Sequence, residues 1–143
     1  MSLHSARRIS AARIDPINSE FEALAVASIA VSWPPRAQTI VILLDSERRG
    51  LTIVCVNDTA DPDAMFEVLD RCFLSPDLEE FAALVLVTVR PGGSVEPNDV
   101  DRWFEASDEC ELVGLELVEW FVVVDRAILC PRVLIGESPR WTA

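Results

Sequence analysis

The residues best suited to chemistry lie in one short connection between an apolar, strand-like segment and a helix-like one. Gly92-Gly93 stands in this connection, with Arg90 and Ser94 beside the glycines and Asp101 in the first turn of the helix. Backbone amides in a glycine turn before a helix can hold a small anion. We therefore take Arg90, Gly92, Gly93 and Ser94 as candidate anion-binding residues, and Asp101 as a candidate carboxylate of the same site. The chain lacks lysine and the G-x-x-x-x-G-K-[ST] pattern, which argues against a nucleoside triphosphate.

The same loop also carries groups that a hydrolase uses. Ser94, Glu96, Asp99 and Asp101 are close in sequence and offer a hydroxyl and three carboxylates. Carboxylates serve as general bases and as ligands for hard cations. A hydrolase with a rearranged site at this loop, with or without a metal, is therefore one interpretation.

Histidine and cysteine chemistry is not expected. The only histidine is His4, and the four cysteines are far apart in sequence, at Cys55, Cys72, Cys110 and Cys130. A zinc site needs clustered ligands, and a catalytic thiol needs a base. The cysteines are predicted to be reduced core residues, and no cofactor is predicted.

Composition limits the class of partner. The 143 residues carry a formal charge of −12, and all 12 basic residues are arginine. This charge disfavours binding to a phosphate backbone. No apolar run approaches the roughly 20 residues that span a bilayer, and Glu20 and Glu22 interrupt the weak resemblance of residues 7–31 to a signal peptide. We expect one cytoplasmic domain that binds neither nucleic acid nor membrane.

Apolar periodicity and turn residues predict eight elements in the order α-β-β-α-β-α-β-β. They are a helix from the capping box Ser19/Glu22 to Trp33, a hairpin of strands 38–45 and 51–56, a helix from Asp61-Pro62, a strand at 82–89, a helix from Pro97, and strands at 115–124 and 128–135. Strands 38–45 and 82–89 are apolar on both faces and should be central neighbours. This order predicts an α/β fold with a mixed sheet flanked by helices.

The helices are expected to bury definite faces. The first would bury Phe21, Leu24, Ala25, Ser28 and Val31, the second Met65, Phe66, Leu69, Cys72 and Phe73, and the third Val100, Trp103, Phe104, Ser107, Cys110 and Val113. Arg102, Glu105, Asp108 and Glu109 would then be solvated.

Three regions follow from this pattern. Residues 1–17 are predicted to be a flexible tail, 18–135 the domain, and 136–143 a C-terminal tail whose Trp141 docks on the sheet or on a second copy.

Several stretches together resemble the RadC-like branch of the JAB/MPN (JAMM) metalloprotease superfamily. They are Leu43-Leu44-Asp45-Ser46 with Leu51, the strand Ala82 to Val89, the segment Thr88 to Asp101 (TVRPGGSVEPNDVD), and Val113 to Trp120 (VGLELVEW). The resemblance covers residues 37–135 and leaves the first 36 unexplained. It implies a JAB/MPN-like, cytidine-deaminase-like fold.

The family's metal ligands and acid transfer by position to Thr88, Arg90, Asp101 and Ala37, and the serine of its loop to Gly92. Only the aspartate is retained, and one carboxylate does not make a zinc hydrolase site. We therefore predict no catalytic residue and no bound metal. Arg90 is expected to pair with Asp101 in place of the ion.

The resulting hypothesis is a catalytically inactive RadC-like JAB domain that serves as a protein-binding or scaffolding module. Its protein partner is not identified by the sequence, and a homodimer is compatible with it. The alternatives are a metal-dependent, peptidase-like hydrolase with a rearranged site at the loop from Arg90 to Asp101, and a protein associated with DNA repair.

Overall fold

The computed structural model describes residues 6–10, 16–125 and 127–141. Its elements are β1 (Ala6–Ser10), α1 (Glu20–Ala27), β2 (Gln38–Leu44), β3 (Gly50–Asn57), α2 (Ala64–Phe73), a 3₁₀ turn (Leu78–Glu80), β4 (Ala83–Arg90), α3 (Asp99–Leu112), β5 (Glu116–Val124), β6 (Ala127–Leu129) and α4 (Pro131–Leu134). No helix in these ranges is both long and apolar enough to cross a bilayer.

The strands form one mixed sheet in the order β1-β3-β2-β4-β5-β6. Only β4 and β5 are parallel, and the other neighbours are antiparallel. The predicted hairpin is β2/β3, and β4 is the predicted central neighbour of β2. The parallel pair requires a crossover, which α3 supplies. The prediction of an α/β fold with a mixed sheet and helices is confirmed.

Both faces of the central strands are covered. Every residue of β2 is buried, as is every residue of β4 except Arg90. Helices α2 and α3 pack on one face, and α1 packs on the other together with Trp141. The uninterrupted apolar sequences of β2 and β4 are therefore explained by burial on both sides, because each face of the sheet packs into its own hydrophobic core.

A bulge in β5 decides which side chains reach α3. Leu84 pairs with Leu117 but Val85 pairs with Glu119, so Val118 is the extra residue. The extra residue shifts the alternation. Leu117 and Trp120 consequently both join the core beneath α2 and α3.

Two predicted helix faces are wrong in part. The capping box of α1 is confirmed, since the Glu22 amide donates to Ser19 Oγ (3.2 Å), but the helix buries Ala23 and Ala27 while Phe21 is 81 % exposed. Small residues allow the helix to lie close to the sheet, which apolarity alone does not indicate. In α3, Phe104 is exposed and Arg102 is buried.

The start of α2 is also later than predicted. The Asp63 amide donates to Asp61 Oδ1 (2.9 Å), so Asp61-Pro62 forms a turn and the helix begins at Ala64. Its predicted buried face is largely correct, with Met65, Leu69 and Cys72 in the core.

Both ends of the domain differ from expectation. Ala6–Ser10, in the predicted tail, pairs with β3 as an edge strand, whereas predictions for residues 1–5 and 11–15 lie outside the described residues. The predicted strand 128–135 is wrong, because β6 ends at Leu129 and α4 begins at Pro131. Proline cannot donate to a ladder but suits the first turn of a helix.

The C-terminal segment covers the part of β5 that short β6 leaves unpaired. Arg140 Nη1 donates to the Leu117 carbonyl (3.0 Å), and its guanidinium lies 4.6 Å from the Trp103 ring centroid. Trp141 is 7 % exposed and stacks on Phe121 of β5, so of the two predicted docking sites it takes the sheet. The segment thereby satisfies one backbone carbonyl on the part of β5 that β6 does not pair with.

We expect Trp141→Ala to lower the free energy of unfolding by about 3 kcal/mol, because it removes a large buried ring. Urea denaturation measures this change. Leu112→Ala, at a position 84 % exposed, is the control and should change stability by less than about 0.5 kcal/mol. Equal effects would contradict a docked tail.

Candidate functional site

The glycine loop is a tight turn at the end of β4. The Gly93 amide donates to the Arg90 carbonyl (3.0 Å), and Gly92 has φ +71°. Pro91 and Gly92 thus hold the central positions of a turn that requires glycine second. A Cβ on Gly93 would lie 3.0 Å from Arg90 Cβ. Both glycines therefore allow the backbone conformation of the turn that follows Arg90.

Arg90 binds a carboxylate that opens α3. Its Nη1 donates to Asp99 Oδ2 (2.7 Å) and its Nη2 to Asp99 Oδ1 (2.9 Å), which is a bidentate pair. Arg90 Nη1 also donates to the Ser94 carbonyl (3.0 Å). The Asp99 side chain is fully buried and that of Arg90 is 10 % exposed. This pair joins the end of β4 to the start of α3.

A second guanidinium completes the network around Asp99. Arg102 Nη1 donates to Asp99 Oδ1 (2.9 Å) and to Glu96 Oε1 (3.1 Å), and its Nε donates to Asp63 Oδ1 (2.8 Å). The Glu96 amide donates to Asp99 Oδ2 (2.7 Å). Asp99 therefore accepts four hydrogen bonds, which satisfies a buried carboxylate.

Trp120 forms the floor beneath Arg90. Its ring centroid lies 5.9 Å from the Arg90 guanidinium carbon, within the range of a cation–π contact. The indole nitrogen donates to Thr88 Oγ1 (2.9 Å), and both residues are buried. The β5 bulge thus supplies the ring on which Arg90 rests.

The network holds Asp99 ionised. Burial acts to raise the pKa of Asp99, but hydrogen bonds from Arg90, the Glu96 amide and Arg102 outweigh it, and the pKa lies below its ordinary value. Burial likewise acts to lower the pKa of Arg102, yet its bonds to Asp63 and Asp99 raise it. Neither group is available to exchange a proton near neutral pH.

The predicted pair between Arg90 and Asp101 is wrong, because the partner is Asp99. Successive helical residues are rotated by about 100°, so residues two apart point to nearly opposite sides. Asp101 is exposed and lines a shallow groove of about 480 Å³ with Asp63, Phe66 and Glu105 among others.

The other positions that resemble metal ligands lie at one end of the sheet. Thr88 and Arg90 lie within the last three residues of β4, and Ala37 precedes Gln38, which pairs with Val89. Thr88 accepts the Trp120 hydrogen bond, and the Ala37 carbonyl accepts from the Asp58 amide (2.9 Å). Ala37, Thr88 and Arg90 are therefore near one another, while Asp101 faces away. This set does not fit a zinc ion.

The donor groups predicted to bind an anion already donate hydrogen bonds to acceptors within the chain. The Gly92 amide donates to Asp125 Oδ1 (2.7 Å), and the guanidinium of Arg90 donates to Asp99. A phosphate or sulfate would have to compete with both carboxylates.

Two of the four groups that a hydrolase would use are similarly engaged, since Asp99 accepts four hydrogen bonds and Glu96 pairs with Arg102. The other two, Ser94 and Asp101, are exposed. Burial raises the pKa of Cys110 and of Cys130 to about 12, so these thiols are protonated at neutral pH. Within the described ranges, no group of three or more histidine, cysteine or acidic residues is arranged to hold a metal.

Sequence reasoning overlooked the roles of Asp99 and Arg102. Their spacing of three residues at the start of a helix is a signal for an intrahelical ion pair. Nothing local indicates that both would be buried, because burial depends on β4 and Trp120.

Comparison of the chain with models of known protein families and with curated proteins gives no match.

We expect Asp99→Ala to lower the free energy of unfolding by about 3–5 kcal/mol, because it leaves two largely buried guanidinium groups without their shared carboxylate. Asp101→Ala is the matched control two residues away and should cost less than about 0.5 kcal/mol. Chemical denaturation of both variants measures the difference. The reverse order would restore Asp101 as the partner of Arg90.

The Asp99 network also predicts a pH dependence. A lowered pKa in the folded state gives stability that is present above the ordinary value of 3.8 and is lost as the pH falls through the folded-state pKa. The stability gap between wild type and Asp99→Asn should therefore be largest at about pH 7 and shrink towards about pH 3. Denaturant titrations at several pH values measure it, and a constant gap would contradict the assignment.

Proposed function

We propose that this protein is a catalytically inactive RadC-like JAB domain that acts in the cytoplasm as a protein-binding or scaffolding module. The observation that carries the proposal is the buried Arg90–Asp99–Arg102 network. It stands at the end of β4, where the resemblance implies the metal centre.

The succession of elements supports the family assignment. From α1 to β6 the order is α-β-β-α-β-α-β-β, which is the order predicted from apolar periodicity and turn residues and is compatible with the fold that the resemblance implies. The segment with the greatest likeness, Thr88 to Asp101, spans the end of β4, the turn and the first turn of α3. Its ends thus coincide with the elements expected to frame a JAB site.

The charges in the network argue against a cation at this site. Two guanidinium groups approach the single buried carboxylate, at 2.7 Å and 2.9 Å. A zinc ion on Asp99 would face both cations in a region of low dielectric, where repulsion is strong. The two arginines supply the neutralising charge themselves, so the network stabilises the fold and offers no open coordination position.

The exposed surface supports a role in binding. Leu129, Val133 and Leu134 line one groove together and are exposed, and a contiguous exposed apolar patch is typical of an interaction site. The exposed carboxylates of α2 and α3, such as Glu67, Glu105 and Asp108, disfavour contact with nucleic acid. A protein is therefore the proposed partner.

Metal analysis of the purified, tag-free protein separates this proposal from the hydrolase alternative. We expect mass spectrometry to find less than about 0.1 equivalent of zinc before and after incubation with zinc, because no described ligand set accommodates it. The same samples should show no hydrolysis of peptide substrates.

Asp101→Ala is the control in that experiment. Stoichiometric metal in the wild type that disappears in Asp101→Ala would overturn the proposal and restore a rearranged hydrolase. Retardation of DNA at low salt would instead favour the association with DNA repair.

A further inference from the structure

Large apolar side chains remain exposed where α1, β6 and α4 meet. Trp33 is 87 % exposed, Leu134 62 %, Val133 61 %, Ile128 48 % and Leu129 41 %. Two grooves of about 430 and 360 Å³ run along this edge and share Ile128 in their walls. We define the apolar face as Leu24, Trp33, Ile128, Leu129, Val133 and Leu134.

The apolar face includes an edge strand. Strand β6 is the last strand of the sheet, and its residues Ala127–Leu129 are all exposed. Edge strands usually carry charges or are covered, because their free amides and carbonyls pair with other chains. No residue of β6 carries a charge. This edge therefore has the chemistry of an interface.

The charge of the chain lies elsewhere. Residues 61–112, which include α2 and α3, contain 14 acidic residues and three arginines, and so carry −11 of the net −12. These helices pack on the face of the sheet opposite α1. Among the described residues that line the two grooves, only Glu20 is charged.

We propose that the apolar face is covered by a second copy of this chain, in a two-fold dimer in which β6 pairs antiparallel with β6 of the second copy. A two-fold interface brings the same patch of each copy together, so the patch must be self-complementary. An uncharged apolar face meets that condition, whereas the acidic helices do not.

The distribution of charge favours a copy over another partner. Helix α4 contacts α3, but no described residue lining the two grooves belongs to α2 or α3, so the carboxylates of those helices lie outside the proposed contact and are screened by solvent and salt. A basic partner would instead be drawn to α2 and α3. The proposal does not depend on whether the site at Arg90 is catalytically silent.

Sedimentation equilibrium of the full chain tests the proposal. We expect wild type to behave as a dimer of the 15.8 kDa chain. Ile128→Glu should raise the dimer dissociation constant at least tenfold, roughly the effect of losing a central interface residue. Because each copy carries a net charge of −12, repulsion between the copies should weaken the dimer at low salt, and the dissociation constant should fall as salt is added.

Leu74→Glu is the matched control, since it adds the same charge at a leucine that is 82 % exposed after α2. It should remain dimeric. Circular dichroism verifies folding, and Leu134→Glu replaces Ile128→Glu if the latter unfolds. A wild type that is monomeric at about 100 μM would overturn the proposal. So would a dimer that persists in both Ile128→Glu and Leu134→Glu. In either case the apolar face would bind a partner other than a second copy.

Discussion

The structure around the loop depends on one buried carboxylate that two guanidinium groups share. Asp99 has no exposure, so its negative charge is tolerable only because Arg90 and Arg102 both donate to it. The pair ties β4 to α3, and Arg102 extends the connection to Asp63, just before α2. Asp99 and its two arginines therefore connect β4, α3 and the residue that precedes α2.

The surrounding backbone is arranged to deliver Arg90 to that position. Gly92 adopts a positive φ and Gly93 leaves room for the Arg90 backbone and Cβ. The bulge at Val118 turns Trp120 towards the same point, where it supports the guanidinium and bonds to Thr88. Together these features position the ion pair between Arg90 and Asp99. The ion pair stands where the resemblance implies a metal, which is the physical basis for proposing that the metal centre has been replaced.

The two faces of the sheet differ in the charge of the side chains that they carry. One carries α2 and α3 with their exposed carboxylates, and the other carries α1 and, at the sheet edge, uncharged apolar side chains. The C-terminal segment links the faces, since Arg140 contacts Trp103 and Trp141 stacks on Phe121. Residues that look dispensable in the sequence therefore complete both cores.

The sequence alone determined the class of fold and most of its elements, because continuous apolar runs at β2 and β4 and the Ser19 capping box are local signals. It also located the loop at Arg90. Tertiary structure decided the features that no local sequence pattern indicates. The partner of Arg90 depends on the rotation of α3, and Phe21 is exposed because Ala23 and Ala27 let α1 approach the sheet. β6 is short because Pro131 suits a helix start but not a ladder. Each of these outcomes is set by contacts between segments distant in sequence or by competition between two allowed local structures, which a single stretch of residues does not encode.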